Sequence, residues 1–301
     1  MANKLTQDIE HFLQYLTQEK RMSSHTVTNY QRDLKQLVAF CESQDLTNWS
    51  AIKSSQIRQF IAQLNRQGLA GRSIQRSLSA IRSLYRFLIR EQLADNNPAQ
   101  AVQAPKVEKR LPATLDVDQM NGLLDNSRQK NSVISSRDHA MMELFYSSGL
   151  RLAELASLNC RDVDFGDQLV YVTGKGNKSR VIPVGKIAIA ALKNWLEQRE
   201  QWGFFEQTAL FITQKGQRLG MRSIQKRLSY WGKKQGISDR VYPHRLRHAF
   251  ASHMLEASGD LRAVQELLGH ADISTTQIYT HVDFQHLAKV YDAAHPRAKK
   301  K

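Results

Sequence analysis

Residues 103–112, QAPKVEKRLP, interrupt the chain. They hold two prolines and several charges, and they carry no periodic apolar pattern. Proline removes a backbone donor and biases the residue before it away from the helical region. The stretches on either side are strongly patterned, so this run reads as a linker between residues 1–102 and residues 113–301. A chain of 301 residues is long enough for two domains of ordinary size.

The first hundred residues read as helices. Leu5, Ile9, Phe12, Leu13 and Leu16 recur at helical spacing over Leu5–Gln18. Ser23 or Ser24 can cap a second helix running to about Cys41, and Ser54 or Ser55 precedes a third through Ile57, Ile61 and Leu64, ending near Gly68. The fourth, Gly71–Glu91, is the most informative. At ~100° per residue, Ile74, Leu78, Ile81, Leu84, Tyr85 and Leu88 occupy an arc of roughly 120°. Arg72, Arg76, Arg82, Arg86 and Arg90 occupy an arc of similar width on the opposite side. One face packs; the other is a stripe of guanidinium groups, either solvated or set against phosphates.

Beyond the linker a capped helix starts near Asp116 or Asp118, and another, Ser136–Ser147, is broken by Gly149. Leu169–Thr173 and Val181–Val184 are β-branched and apolar, and Gly174-Lys175-Gly176-Asn177-Lys178 lies between them, which signals a β-hairpin. Helical patterning then resumes. The expected fold is mainly α in two domains: a helical N-terminal domain, and a mostly helical C-terminal domain with a small antiparallel sheet (α+β).

The net charge is +15, and both halves are basic, which points to a polyanionic partner, most often nucleic acid. Two isolated cysteines, Cys41 and Cys160, form neither a disulfide framework nor a zinc spacing. The N-terminus lacks an apolar signal core, and no run approaches the ~20 apolar residues of a membrane span. A cytoplasmic location is expected.

Four stretches of the second half concentrate reactive side chains: Gly149–Glu154, the Lys175 turn, Pro243-His244-Arg245-Leu246-Arg247-His248, and Leu268-Gly269-His270 with Tyr279 nine residues later. Singly, each has an ordinary explanation. Arg151 and Glu154 could be a surface ion pair one turn apart, Lys175 a turn decoration, and Tyr279 a half-buried tyrosine. His244 and His248 share the i, i+4 spacing of some metal sites, but Arg245 stands where the zinc-protease pattern wants Glu, and flanking arginines repel a divalent cation. No metal site is expected. Tyr85, Tyr146 and Tyr171 lie in apolar patterns and read as core. Cys160 and Ser147 have no base nearby in sequence.

Together these stretches resemble the tyrosine recombinase, or phage integrase, family. Its pattern of an Arg with a following acid, a hairpin Lys, a His-x-x-Arg helix, a His or Trp and a nucleophilic Tyr is met in order by Arg151 with Glu154, Lys175, His244 with Arg247, His270 and Tyr279. The resemblance spans nearly the whole chain and is closest to the bacterial Xer branch; the ending THVDFQHLAKVYDAAHPRAKK looks XerC-like rather than XerD-like. It implies cleavage and rejoining of DNA by transesterification. Tyr279 is the nucleophile, His244 assists as base, Lys175 is the acid for the leaving 5′-oxygen, Arg151, Arg247 and His270 stabilise the phosphorane, and Glu154 orients Arg151. No cofactor is needed, because the bond energy is kept in a phosphotyrosyl link.

The resemblance further implies a C-shaped clamp on double-stranded DNA with the Gly71–Glu91 helix near the major groove. It implies dif-like sites, a heterotetramer with a XerD-like recombinase, an FtsK-type DNA translocase as activator, and a segment from about Asp283 that packs on a neighbouring subunit; its apolar pattern, Phe284, Leu287, Val290 and Tyr291, suits packing in cis equally well. The alternatives are a phage or mobile-element integrase, disfavoured by the lack of an extra N-terminal arm-binding domain; a non-catalytic DNA-binding protein; and a type IB topoisomerase-like relaxing enzyme.

Overall fold

Helix α1 (Lys4–Gln18), α2 (Ser24–Glu42), α3 (Ser54–Arg66) and α4 (Gly71–Arg90) each turn one apolar stripe inward and share a single core. The computed structural model describes residues 4–105, 114–128, 132–174, 179–237, 240–268, 290–291 and 293–297. Contacts divide the chain into two units, Met1–Arg110 and Leu111–Lys301. In the first, the Ser23 hydroxyl accepts from the Thr26 amide and starts α2, as its sequence predicts. The large buried polar side chains find partners: the Trp49 indole donates to Asp8 at 3.0 Å, and the Tyr85 hydroxyl donates to the Trp49 carbonyl at 3.1 Å.

The second unit is assembled on α6 (Val133–Ser148), which is buried on every side from Arg137 onward. Around it pack α5 (Val117–Arg128), α8 (Lys186–Glu200), α9 (Met221–Lys234) and α10 (Pro243–Ser258). Asp138 of α6 is fully buried, and it accepts from Arg137, Arg227 and the Trp231 indole. The short α7 (Leu152–Ser157) and α11 (Leu261–Leu268) complete the helices. The expected hairpin belongs to an antiparallel sheet of three strands, β1 (Val163–Asp164), β2 (Leu169–Thr173) and β3 (Ser179–Pro183), in the order β1-β2-β3. Its alternation corrects one sequence expectation. Val170 and Val172 are buried, so the intervening Tyr171, paired with Val181, faces outward and is 46% exposed rather than core.

At the C-terminal end, Val290 and Tyr291 pack onto this chain's own second unit; Phe284 and Leu287 lie outside the described residues. The Tyr291 hydroxyl lies 2.6 Å from that of Ser147, and Arg297 reaches Glu143 and Asp125. His295, 3% exposed, donates from Nε2 to the Tyr146 carbonyl and accepts at Nδ1 from the Arg297 amide.

Only a neutral imidazole can do both. Burial, opposed by the bond to Tyr146, lowers the His295 pKa from 6.5 to about 4. The unfolded chain therefore takes up this proton first. The stabilisation is complete above pH ~6.5 and is lost as pH falls towards ~4, by at most about 3 kcal/mol. Melting temperature measured from pH 7 to 4 is expected to fall less steeply in His295→Gln than in the native chain. Equal slopes would move the effect to His253, which burial also shifts down.

Candidate active site

Gly149 ends α6 with φ +55°, a left-handed conformation that favours glycine. It is also pressed from outside: a Cβ there would sit 2.4 Å from the Phe250 ring. This turn redirects the chain so that Arg151 emerges at the start of α7. The Glu154 carboxylate reaches back, accepting from the Arg151 amide at 2.7 Å and from its guanidinium at 2.9 Å. The Arg151 side chain is 43% exposed and that of Glu154 only 3%. This is a buried acid holding a cation that faces outward, not a pair of surface charges.

Pro243 begins α10, which buries Leu246, Ala249 and Phe250 on one side. His244, Arg247 and His248 lie together on the other, the two histidine rings edge to face at 5.2 Å. Arg247 donates to the Gly149 carbonyl at 2.5 Å and to the Leu268 carbonyl at 2.6 Å. It thereby ties the α6–α7 turn to the end of α11. Burial first, then Arg151, lowers the Arg247 pKa to about 10, so it remains charged at neutral pH. Burial, His248 and Arg247 all press the His244 imidazole below its ordinary pKa. His244 is therefore mostly neutral near pH 7, with a lone pair available for a proton.

A third guanidinium completes the cluster. Arg180, on β3, donates to both oxygens of Glu154, at 2.7 and 3.0 Å. Burial pushes the Glu154 carboxyl up, but the bonds from Arg180 and Arg151 outweigh it and hold the pKa at about 2. Three arginines around one carboxylate leave a net positive site, suited to a phosphodiester.

A model of the phage integrase family matches residues 113–286, and one of the phage integrase N-terminal SAM-like domain matches residues 9–92. The chain belongs to the tyrosine recombinase (phage integrase) family. This recombinase is 50% identical over 301 residues to tyrosine recombinase XerC of Alcanivorax borkumensis, covering 100% of this chain and 97% of the relative. It is 47% identical over 293 residues to tyrosine recombinase XerC of Shigella dysenteriae serotype 1, covering 97% of each. Its fold matches that of XerH site-specific recombinase bound to palindromic difH substrate, with a TM-score of 0.72 at 21% identity over 97% of this chain and 91% of the other. It also matches a lambda integrase dimer bound to a COC′ core site, with a TM-score of 0.69 at 18% identity over 92% and 99%. Tyrosine recombinases cleave DNA and exchange strands, and this chain is a DNA-acting enzyme of that class.

The tyrosine recombinase pattern thus converges in space at Arg151, Glu154, His244 and Arg247. Lys175, His270 and Tyr279 lie outside the described residues. Among the described residues, no group of three His, Cys, Asp or Glu could hold a metal ion, and no helix is long and apolar enough to cross a membrane. Arg180 escaped sequence reasoning because a strand arginine five positions after Lys175 carries no mark of its own. Its partner lies 26 residues away, and only the fold reveals it.

The five arginines of α4 have three fates. Arg76 forks onto Asp33 at 2.7 and 3.0 Å, and Arg82 holds the carbonyls of Ala99 and Val102. These two sit at the edges of the polar arc, where neighbouring segments meet the helix. Arg72 and Arg86, nearer its middle, are exposed. Arg90 lies 4.1 Å over the Tyr15 ring and pairs with Glu91. Helix α9 offers a second basic surface: Arg222, Lys226 and Lys233 are exposed beside Tyr230, and the helix has no acidic residue.

Proposed function

We propose that this recombinase cleaves and rejoins a dif-like site through a 3′-phosphotyrosyl intermediate and a Holliday junction. It works with a XerD-like partner in a heterotetramer, under an FtsK-type translocase, to resolve chromosome or plasmid dimers in the cytoplasm. The observation that carries the reading is the meeting of Arg151, held by buried Glu154, with Arg247, held by two carbonyls, beside His244.

The Tyr279 phenol attacks phosphorus, giving its proton towards His244, and the 5′-oxygen leaves with a proton from Lys175. Negative charge grows on the non-bridging oxygens. A guanidinium has five donors, so the bonds that fix Arg151 and Arg247 do not exhaust them, and His270 adds a further donor. Donors fixed before the reaction need no reorganisation during it; each is worth ~3 kcal/mol.

The test is a nicked dif-like suicide duplex incubated with the native chain and its partner. A denaturation-resistant protein–DNA adduct is expected; its absence with both subunits bound would overturn the reading.

The arginines of α4 divide in the same way under mutation. Arg72→Ala and Arg86→Ala are expected to reduce the slope of log affinity against log salt by about one each, since each phosphate contact releases roughly 0.9 counterion. Arg76→Ala and Arg82→Ala are expected to lower the melting temperature first, because each leaves buried acceptors unpaired. An unchanged salt slope in Arg86→Ala would remove that residue from the DNA surface.

A further inference from the structure

We infer that Arg180 is a positioning residue for strand cleavage, which fixes Arg151 through the shared Glu154 carboxylate; the inference rests on the role proposed above for Arg151. Glu154 is the only link needed. One oxygen accepts from the guanidiniums of both Arg151 and Arg180, at 2.9 and 2.7 Å. The other accepts from the Arg151 amide and from the second nitrogen of the Arg180 fork, at 2.7 and 3.0 Å. Arg180 therefore grips the carboxylate from behind in the two-pronged geometry that sets its plane. That plane aims Arg151.

The arrangement is asymmetric in exposure. The Arg180 side chain is 10% exposed against 43% for Arg151, so Arg180 is enclosed while Arg151 is presented. Enclosing a second cation beside Arg247 is unfavourable on its own. The Arg180 Nε is also buried with no hydrogen-bond partner. A fold that needed only a neutral staple between β3 and α7 could dispense with this charge. Its use here is to keep Glu154 ionised: burial alone would push that carboxyl up, towards a protonated form that could not grip Arg151 as firmly. Among the described residues, the charged groups facing Glu154 are Arg151 from the start of α7, Arg180 from β3 and, more distantly, Arg247 from α10.

Arg180 also places its strand. It stands opposite Val172 in the β2–β3 ladder, with its side chain on the inner face shared by Ile182. The same fork that orients Glu154 thus ties the second strand of the hairpin to the Arg151 turn. A lysine would keep the charge but not the two parallel bonds.

The experiment measures single-turnover cleavage of the nicked duplex with the partner present, for the native chain, Arg180→Lys, Arg180→Gln, Glu154→Gln and the double Gln variant. Arg180→Gln is expected to slow adduct formation by about 10- to 100-fold, with DNA affinity within about threefold of native, and Arg180→Lys to fall between. Losing Arg180 removes a force that lowers the Glu154 pKa. Arg180→Gln should therefore lose rate on the acid side at a higher pH than the native chain, in which Glu154 stays ionised down to about pH 2. The double variant should match the slower single one, since both act through one carboxylate.

Additive effects, or a native rate and pH profile in Arg180→Gln, would overturn the inference. If Arg180→Gln does not fold at assay temperature, Arg180→Lys carries the test: native cleavage by it would exclude a role for the fork. Failure of the native chain itself to form an adduct would instead reject the proposed function, so the two outcomes are distinct.

Discussion

Tyr279→Phe is expected to abolish the covalent protein–DNA adduct while leaving duplex affinity within about threefold of native, because it removes one oxygen and keeps the ring. The phenol is the atom that must bond to phosphorus. A bound phosphodiester with every other group in place then has nothing to attack it except water, for which the leaving-group acid and the arginines alone are poor compensation. Other tyrosines are weak substitutes. Burial pushes the Tyr85 and Tyr146 phenols well above their ordinary pKa, and each is committed to a hydrogen bond inside the core. Tyr171 is exposed on the outer face of the sheet. Tyr242, 37% exposed and two residues before His244, is the one to watch. An adduct that persists in Tyr279→Phe and disappears in Tyr242→Phe would transfer the nucleophile's role.

Arg247→Gln is expected to slow cleavage by about 10²- to 10³-fold, the usual loss for one preorganised donor to a developing oxyanion. It should do so with a stability loss of about 1–3 kcal/mol, from the Gly149 and Leu268 carbonyls left without their donor. The two effects can be separated by temperature. If instability alone slowed the reaction, cleavage would recover when the assay is run well below the variant's melting temperature. The expected result is that it does not recover. A native rate at low temperature would leave Arg247 as a strut between the Gly149 turn and α11, and Arg151 would have to supply the charge alone.

The helices of the first unit were legible because apolar spacing marked each of them; of the serines named at helix starts only Ser23 caps, since α3 begins at Ser54 itself, after Lys53, with no side-chain cap. The α4 stripe was legible as a pattern, but the use of each arginine was not. Arg76 and Arg82 lie in the same polar arc as Arg86, yet they turn to Asp33 and to the 99–102 carbonyls. Helical periodicity gives the angle of a side chain about its own axis, and it is silent on which neighbour occupies that direction. Tyr171 failed for a related reason: an apolar run in a hairpin has two faces, and only packing decides which is buried. The cis seating of Tyr291 was likewise undetermined, since its pattern suits any apolar surface.

By itself, the sequence determined the two-part organisation, the helical character and the basic balance, because composition and apolar spacing are properties of the chain, and its resemblance to the tyrosine recombinases picked out Arg151, Lys175, His244, Arg247, His270 and Tyr279 in order as the expected site. The tertiary structure alone decided that Glu154 is buried, that Arg180 stands behind it, and that Arg247 is anchored to two backbone carbonyls. Those facts depend on burial and on partners from distant segments, and the energy of a charge is set by what surrounds it rather than by its place in the chain. For the stretch LRLAE, five letters suggested an ion pair across one helical turn; the fold made its acid the shared hinge of two arginines.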